Sequence, residues 1–292
     1  MTDPKILVYG AGVVGSIYAA SLFEAGVDVA LLARGERLAA VREHGVLLAA
    51  GDSPAVRRVP VPVVDHPDNG YDLILVFVRT HQMDAVLDSL AGLDGDVLFL
   101  LNWAAGADPL SSVIGRERVL LGFPAQGGTM DGEVVRYRPS SLLTRFVRVP
   151  VGLPDGGVTP RLERVVRTLR AVGINAKTES RMDAWLTTHA AFEVPLGQAV
   201  HAAGGLEQLA SDPGAIREMV RRIRHNLGAM PTPPVPRAFT LLRTLPEAML
   251  VSVFRRFLRS SVASPLGTTD AAAVAELDRL TEQLAARAKA ER

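Results

Sequence analysis

The chain opens on a short apolar run, Lys5-Ile6-Leu7-Val8-Tyr9, which ends in Gly10-Ala11-Gly12-Val13-Val14-Gly15 and leads into a helix-like stretch, Ser16 to Ala25. Similar runs recur. Val27 to Ala33 and Asp72 to Arg79 (DLILVFVR) are nearly continuous in apolar residues, as parallel strands buried on both faces are. Val97 to Leu101 and Val119 to Phe123 repeat the pattern, with helical segments predicted at Met83 to Leu90, Pro109 to Ile114 and Thr159 to Ala171. Thr159-Pro160 opens the last of these with proline at the favoured first helical position. Val46 to Ala49 and Arg58 to Val64 predict short strands around a polar turn. Pro124 to Gly132 reads as a glycine-rich connection, and Val134 to Arg138 with Leu142 to Val151 reads as a hairpin. A last strand is predicted near Ile174 to Thr178. From Ser180 onward the strand signals stop, and a stiff Pro231 to Pro236 connector interrupts otherwise helical sequence. Strands alternating with helices, then helices alone, predict an α/β domain with a doubly wound sheet over residues 1–179 and an all-helical C-terminal domain over 180–292.

The first strand, glycine turn and helix together give GxGxxG the context in which it signals a dinucleotide site. Gly10 allows the tight turn, Gly12 lets the backbone approach a pyrophosphate, and Gly15 lets the helix pack on the strand. Ala11, Val13 and Val14 complete the loop, whose helical N–H groups and dipole suit phosphates. The second strand indicates which dinucleotide. Where an NAD-selective site carries an acidic residue for the ribose hydroxyl, this strand ends in Arg34, which suits a 2′-phosphate. Arg37 lies one turn on as a helper, and Glu36 falls beyond the tip. The expected cofactor is NADP(H).

Composition changes this picture little. An apolar fraction of 48% with 22% charged residues describes an ordinary globular protein, and a net charge of +1 points to neither nucleic acid nor membrane. With no cysteine, thiol nucleophiles, thiolate metal sites and disulfides are excluded. No His/Asp/Glu cluster has metal spacing, and no serine elbow appears. No basic leader and no apolar run of about 18 residues is present, so a cytoplasmic protein acting on a small molecule is expected.

The opening KILVYGAGVVGSIYAASLFEAGVDVALLARGERLAAVREHGVLL, with DLILVFVRTHQMDAVLDSL, VLFLLNWAAG and VGINAKTESRMDAW further on, resembles the ketopantoate reductase family. The resemblance implies a Rossmann-type sheet, NADP(H) and a helical substrate domain. It also implies that Arg34 meets the 2′-phosphate and that Arg79 stands where the family has a lysine near the adenosine phosphate. Gln82 then lies beside the cofactor, and Asn102 near the nicotinamide ribose and the substrate. The departure is in the helix that carries the family's Trp-x-Lys and two asparagines before Pro-Leu. Anchored on Trp185, those positions are Thr187, Ala191 and Pro195; anchored on Pro195-Leu196, they are Leu186, Ala190 and Val194. The lysine is lost in both registers. The family's Ser-Ser-Met…Asp stretch with its glutamate is likewise not recognisable near Ser260 to Asp270.

Trp185, His189 and Glu193 are spaced by four and share one helical face. A carboxylate one turn from an imidazole can hold its tautomer and raise its pKa, which makes His189, with Glu193 and Asn102, the candidate catalytic set. His81 is a second candidate. The arginines at 217, 221, 222, 224, 237, 243, 255, 256 and 259 face only Glu218 and Glu247 in that stretch. They read as solvated helix faces or as a site for an anionic substrate. The apolar residues between them read as core, or as the interface of a homodimer through the helical domain. The expected function is NADPH-dependent reduction of a ketone or imine of a small anionic substrate other than ketopantoate. The alternative is a non-redox NADP(H)-binding protein, or an enzyme of another reaction class, on the same fold.

Overall fold

The computed structural model describes residues 4–138, 148–260, 262–263, 267 and 270–290. It begins β1 (Ile6–Tyr9), α1 (Val13–Glu24), β2 (Val29–Leu32), α2 (Gly35–His44), β3 (Val46–Ala50), β4 (Val56–Val59), β5 (Val63–Val64) and β6 (Leu73–Val76). There follow α3 (Met83–Leu90), β7 (Asp96–Leu100), α4 (Asp108–Ile114), β8 (Val119–Gly122), β9 (Gly128–Asp131), β10 (Val134–Tyr137), β11 (Val149–Gly152), α5 (Pro160–Ala171) and β12 (Ala176–Thr178). The rest is helical: α6 (Met182–Ala203), α7 (Leu206–Ser211), α8 (Pro213–Gly228), α9 (Thr240–Thr244), α10 (Glu247–Leu258) and α11 (Ala271–Ala290).

The main sheet has the order β12-β11-β8-β7-β6-β1-β2-β5. It is parallel from β5 to β8; β11 then runs antiparallel to β8 and carries β12 parallel to itself. Ile6 pairs with Val29 on one side and Leu73 on the other, so the chain leaves β1 in one direction and returns on its far side. The carboxyl ends of β1 and its neighbours are therefore the switch point at which open α/β sheets bind ligands. Every residue of β1, β2, β6 and β8 is buried, which is why these strands read as unbroken apolar runs.

A second, four-stranded sheet has the order β4-β3-β10-β9, and here the pattern of the sequence misleads. The glycine-rich connection contains β9, which forms the hairpin with β10. Val149–Gly152 joins the main sheet instead, and the remainder of the predicted arm, 142–147, lies outside the described residues. Arg58 to Val64 is not one strand. Pro60 and Pro62 have no N–H for a ladder, and β4 and β5 on either side of Pro60 belong to different sheets.

The chain divides into two compact units. The first holds the two sheets with α1 to α5. The second takes Asp183 onward together with two loop segments, Arg79–His81 and Asn102–Gly106, which follow β6 and β7. The helical unit packs Leu196, Val200, Leu209, Ile216, Met219, Ile223, Leu250 and Phe254 into its main core. Several of its arginines are paired. Arg217 and Arg221 reach Glu247 at 3.1 and 3.0 Å, Arg259 reaches Glu207 at 3.3 Å, and Arg224 donates to the carbonyls of Leu242 and Leu245. Leu241, Met249 and Val253 remain about half exposed. Among the described residues no helix is long and apolar enough to cross a membrane.

Candidate functional site

The loop after β1 has the form that its glycines require. Gly10 has φ +112°, and a side chain there would collide with the Phe77 carbonyl; a side chain at Gly15 would collide with the Gly10 carbonyl. These two glycines are fixed by the protein's own packing. Gly12 is different: its Cβ direction is open, with nothing within 4 Å. Gly12 is also the N-cap of α1 and supplies no capping side chain, so the first-turn N–H groups at Val13 and Val14 await an acceptor from outside the helix. A bound diphosphate fits such an end.

The two arginines past β2 have different surroundings. Arg37 donates through Nε to the Ala11 carbonyl (3.1 Å), through Nη2 to Ser16 Oγ (3.2 Å) and through Nη1 to the Glu133 carbonyl (2.9 Å). Its side chain ties the glycine loop to the β9–β10 turn, and burial pulls its pKa down against the pull of Glu133. The expected helper to Arg34 is thus tied to two backbone carbonyls and Ser16 through three of its N–H groups. Arg34 is exposed and keeps its charge outward, donating through Nη2 to Tyr9 Oη at 3.1 Å.

A second group of polar side chains lies within the helical unit. On α6, Trp185 stacks on His189 with ring centroids 5.3 Å apart and 13° between planes, and His189 Nε2 lies 2.7 Å from Glu193 Oε2. Asn102 Nδ2 donates to Glu193 Oε1 at 3.2 Å. That carboxylate partner fixes the amide orientation, leaving Asn102 Oδ1 as a buried acceptor with no partner among the described residues. Thr80 Oγ1 donates to the Asn102 carbonyl and ties the two loop segments together. Arg79 Nη1 stands 3.3 Å from Glu276 Oε2 on α11, with Asp270 at 3.9 Å from Nη2. Burial alone would push the Glu193 carboxyl up, but the charge and closeness of His189, the Asn102 amide and Arg79 together hold it below the usual range. Glu276 goes the other way: burial and the Glu193 charge push it up, against Arg79, the Thr80 backbone and Asn102.

The structure thus brings together His189, Glu193, Asn102 and Arg79, and adds Glu276. Gln82, exposed, ends a single helical turn (Thr80–Gln82) and caps α3; His81 beside it is exposed. Both alternative registers of the helix point inward: Thr187, Ala191 and Pro195 are buried, and so are Leu186, Ala190 and Val194. Trp185, His189 and Glu193 form the part-exposed face instead. Glu276 lies beyond the Ser260 to Asp270 stretch in which the family's glutamate is not recognisable. Its signal was an acid one turn before Leu280, which is fully buried on α11. Among the described residues no group of three or more His, Asp or Glu side chains is placed to hold a metal ion.

Residues 6–141 match the family described as Ketopantoate reductase PanE/ApbA. This part of the chain, a little under half of it, is similar to that family's domain. Among curated relatives, 2-dehydropantoate 2-reductase of Pyrococcus horikoshii is 24% identical over 184 residues, which cover 62% of this chain and 58% of that protein. The match therefore spans little more than half of that relative's length. Among solved structures, a putative ketopantoate reductase from Ralstonia solanacearum MolK2 is 18% identical with a TM-score of 0.68, covering 98% of this chain and 99% of that one. D-mandelate dehydrogenase in complex with NADH and anilino(oxo)acetate is 18% identical with a TM-score of 0.69 over the same shares. At these identities the solved structures share the fold: a Rossmann-type sheet followed by helices.

Proposed function

We propose that the protein is an NADPH-dependent oxidoreductase of the ketopantoate reductase type, reducing a ketone or imine of a small anionic substrate other than ketopantoate. The observation that carries this reading is the His189–Glu193 pair beside Asn102, an imidazole held by a carboxylate on the part-exposed face of α6. When bound, the nicotinamide supplies the hydride. The chain's own residues then have to hold the cofactor, orient the acceptor group and deliver a proton. Gly10 to Gly15 and the start of α1 hold the diphosphate, with Arg34 on the 2′-phosphate and Gln82 beside the cofactor. His189 gives its proton to the oxygen or nitrogen that gains negative charge, and Glu193 offsets the imidazolium before transfer. The Asn102 acceptor takes a substrate hydroxyl or N–H. Arg79 is the cation for a substrate carboxylate, because Glu276, pushed toward its neutral form, holds that guanidinium weakly. The half-exposed Leu241, Met249 and Val253 support a homodimer through the helical unit.

Loss of NADPH absorbance across 2-oxo acids and cyclic imines is the direct test. With a substrate in hand, His189→Gln should lower kcat by roughly 10²–10⁴-fold and leave the NADPH dissociation constant within about twofold. An unchanged kcat would remove His189 from the reaction. NADPH binding with no turnover of any carbonyl or imine would favour a non-redox role.

A further inference from the structure

We propose that Tyr9 is a positioning residue that sets cofactor selectivity, holding Arg34 for a 2′-phosphate through a hydrogen-bond relay that runs one way into the backbone of α3. The inference rests on the NADP(H) reading above and goes beyond it, since the selectivity is assigned to a buried tyrosine and a part-buried serine as well as to the arginine.

The direction of the relay follows from which atoms can donate. Ser89 Oγ lies 2.8 Å from the Val86 carbonyl, which can only accept, so the Ser89 proton points there. The Ser89 oxygen is then left to accept, and Tyr9 Oη, 2.7 Å away, donates to it. With its one proton committed, the Tyr9 oxygen accepts from Arg34 Nη2 at 3.1 Å. Each hydroxyl donates once and accepts once, so the chain guanidinium, phenol, serine, carbonyl has no competing arrangement. A phenol that gives its proton onward is also a better acceptor for the guanidinium.

Position makes the phenol a fixed point. Tyr9 is the last residue of β1, 3% exposed, and pairs with Leu32 of β2, two residues before Arg34. Alternate residues along an extended strand face the same way, so Leu32 and the extended Arg34 lie on one side. An exposed arginine otherwise samples many rotamers, and part of that freedom is lost to Tyr9 before a ligand arrives. The acceptor is also neutral. A carboxylate at this place would orient Arg34 but cancel the charge needed for a phosphate; a phenol orients it and leaves the charge intact. Arg37 is held differently, with Nε, Nη1 and Nη2 each donating within the fold, to the Ala11 and Glu133 carbonyls and Ser16.

The test is calorimetry on the full chain with 2′,5′-ADP and 5′-AMP, which differ only in the 2′-phosphate, for wild type, Tyr9→Phe and Ser89→Ala. Wild type should prefer 2′,5′-ADP by about tenfold or more. Tyr9→Phe keeps the ring in the core and should weaken 2′,5′-ADP by about three- to tenfold, with 5′-AMP unchanged. Ser89→Ala should act in the same direction by less, and it carries the test alone if Tyr9→Phe does not fold by circular dichroism. A wild-type protein without preference would overturn the NADP(H) reading itself. A wild-type preference that survives both substitutions would overturn the relay and leave that reading standing. Equal weakening of both probes would assign Tyr9 to packing and overturn the relay as well.

Discussion

Replacing Glu193 by glutamine and by leucine separates charge from shape in the polar cluster of the helical unit. The carboxylate faces His189 Nε2 at 2.7 Å and Asn102 Nδ2 at 3.2 Å, with the His189 and Glu193 side chains only 24% and 21% exposed, so solvent screens the pair little. A hydrogen bond to a charged carboxylate contributes about 1.5–3 kcal/mol at the short imidazole contact, and the longer amide contact about 0.5–1.5 kcal/mol. Leucine removes both and strands two donors, at a cost of about 2–4 kcal/mol; glutamine keeps one acceptor oxygen and costs about half of that. At roughly 2–4 °C per kcal/mol for domains of 150–250 residues, Glu193→Leu should melt roughly 5–15 °C lower and Glu193→Gln roughly 2–8 °C lower. The pH dependence has a definite sign. The Glu193 carboxyl is held below its ordinary range in the fold, so its stabilisation is present above the unfolded value near ~4.3 and fades as pH falls through the lower folded value. Thermal melts followed by circular dichroism from about pH 3 to about pH 8 should therefore show a gap between wild type and Glu193→Gln that is widest near neutrality and closes in acid. Equal melting points at neutral pH, or a gap that grows on acidification, would refute the reasoning.

Arg34→Glu should abolish or reverse the preference for NADPH over NADH, read as the ratio of calorimetric dissociation constants. Arg37→Met should behave oppositely: by releasing the Ala11 carbonyl it should weaken both dinucleotides together and leave their ratio near the wild-type value. Glu276→Gln should raise the melting temperature at neutral pH. The folded carboxyl is pushed up by burial and by Glu193, so the stability it contributes is present below the ordinary carboxylate pKa and lost as pH rises through the raised value, while glutamine stays neutral throughout. Turnover of ketopantoate with NADPH should be absent or slower by roughly 10²-fold or more than in an enzyme with a positioned ammonium donor, measured by NADPH consumption.

What the sequence disclosed followed from local periodicity. The strands of the main sheet are buried on both faces, so their apolar runs were visible without knowing their partners. Trp185, His189 and Glu193 meet because i, i+4 neighbours on a helix must, whatever surrounds them. The remainder depended on distant chain segments. β10 pairs in parallel with β3, from Val134 to Leu47, and nothing in four residues of either strand names the other. Arg34 and Arg37 look interchangeable as letters; they differ because the carbonyls of Ala11 and Glu133 fall within reach of only one. Glu276 is in the same position: its surroundings are Arg79 and Asn102, both brought from loops nearly two hundred residues earlier in the chain.

The charges in this cluster are linked in a way that bears on how it can replace a lysine. His189 favours the Glu193 anion, and that anion in turn pushes the Glu276 carboxyl up. The two carboxyls therefore compete for protons as a pair, and their titration belongs to the pair. Glu193 is the shared partner, its Oε2 2.7 Å from His189 Nε2 and its other oxygen held by Asn102. With His189 as the proposed donor, Glu193→Gln should lower kcat and leave the NADPH dissociation constant within about twofold. An unchanged kcat would show that Glu193 only supports the helix, and that the proton comes from elsewhere.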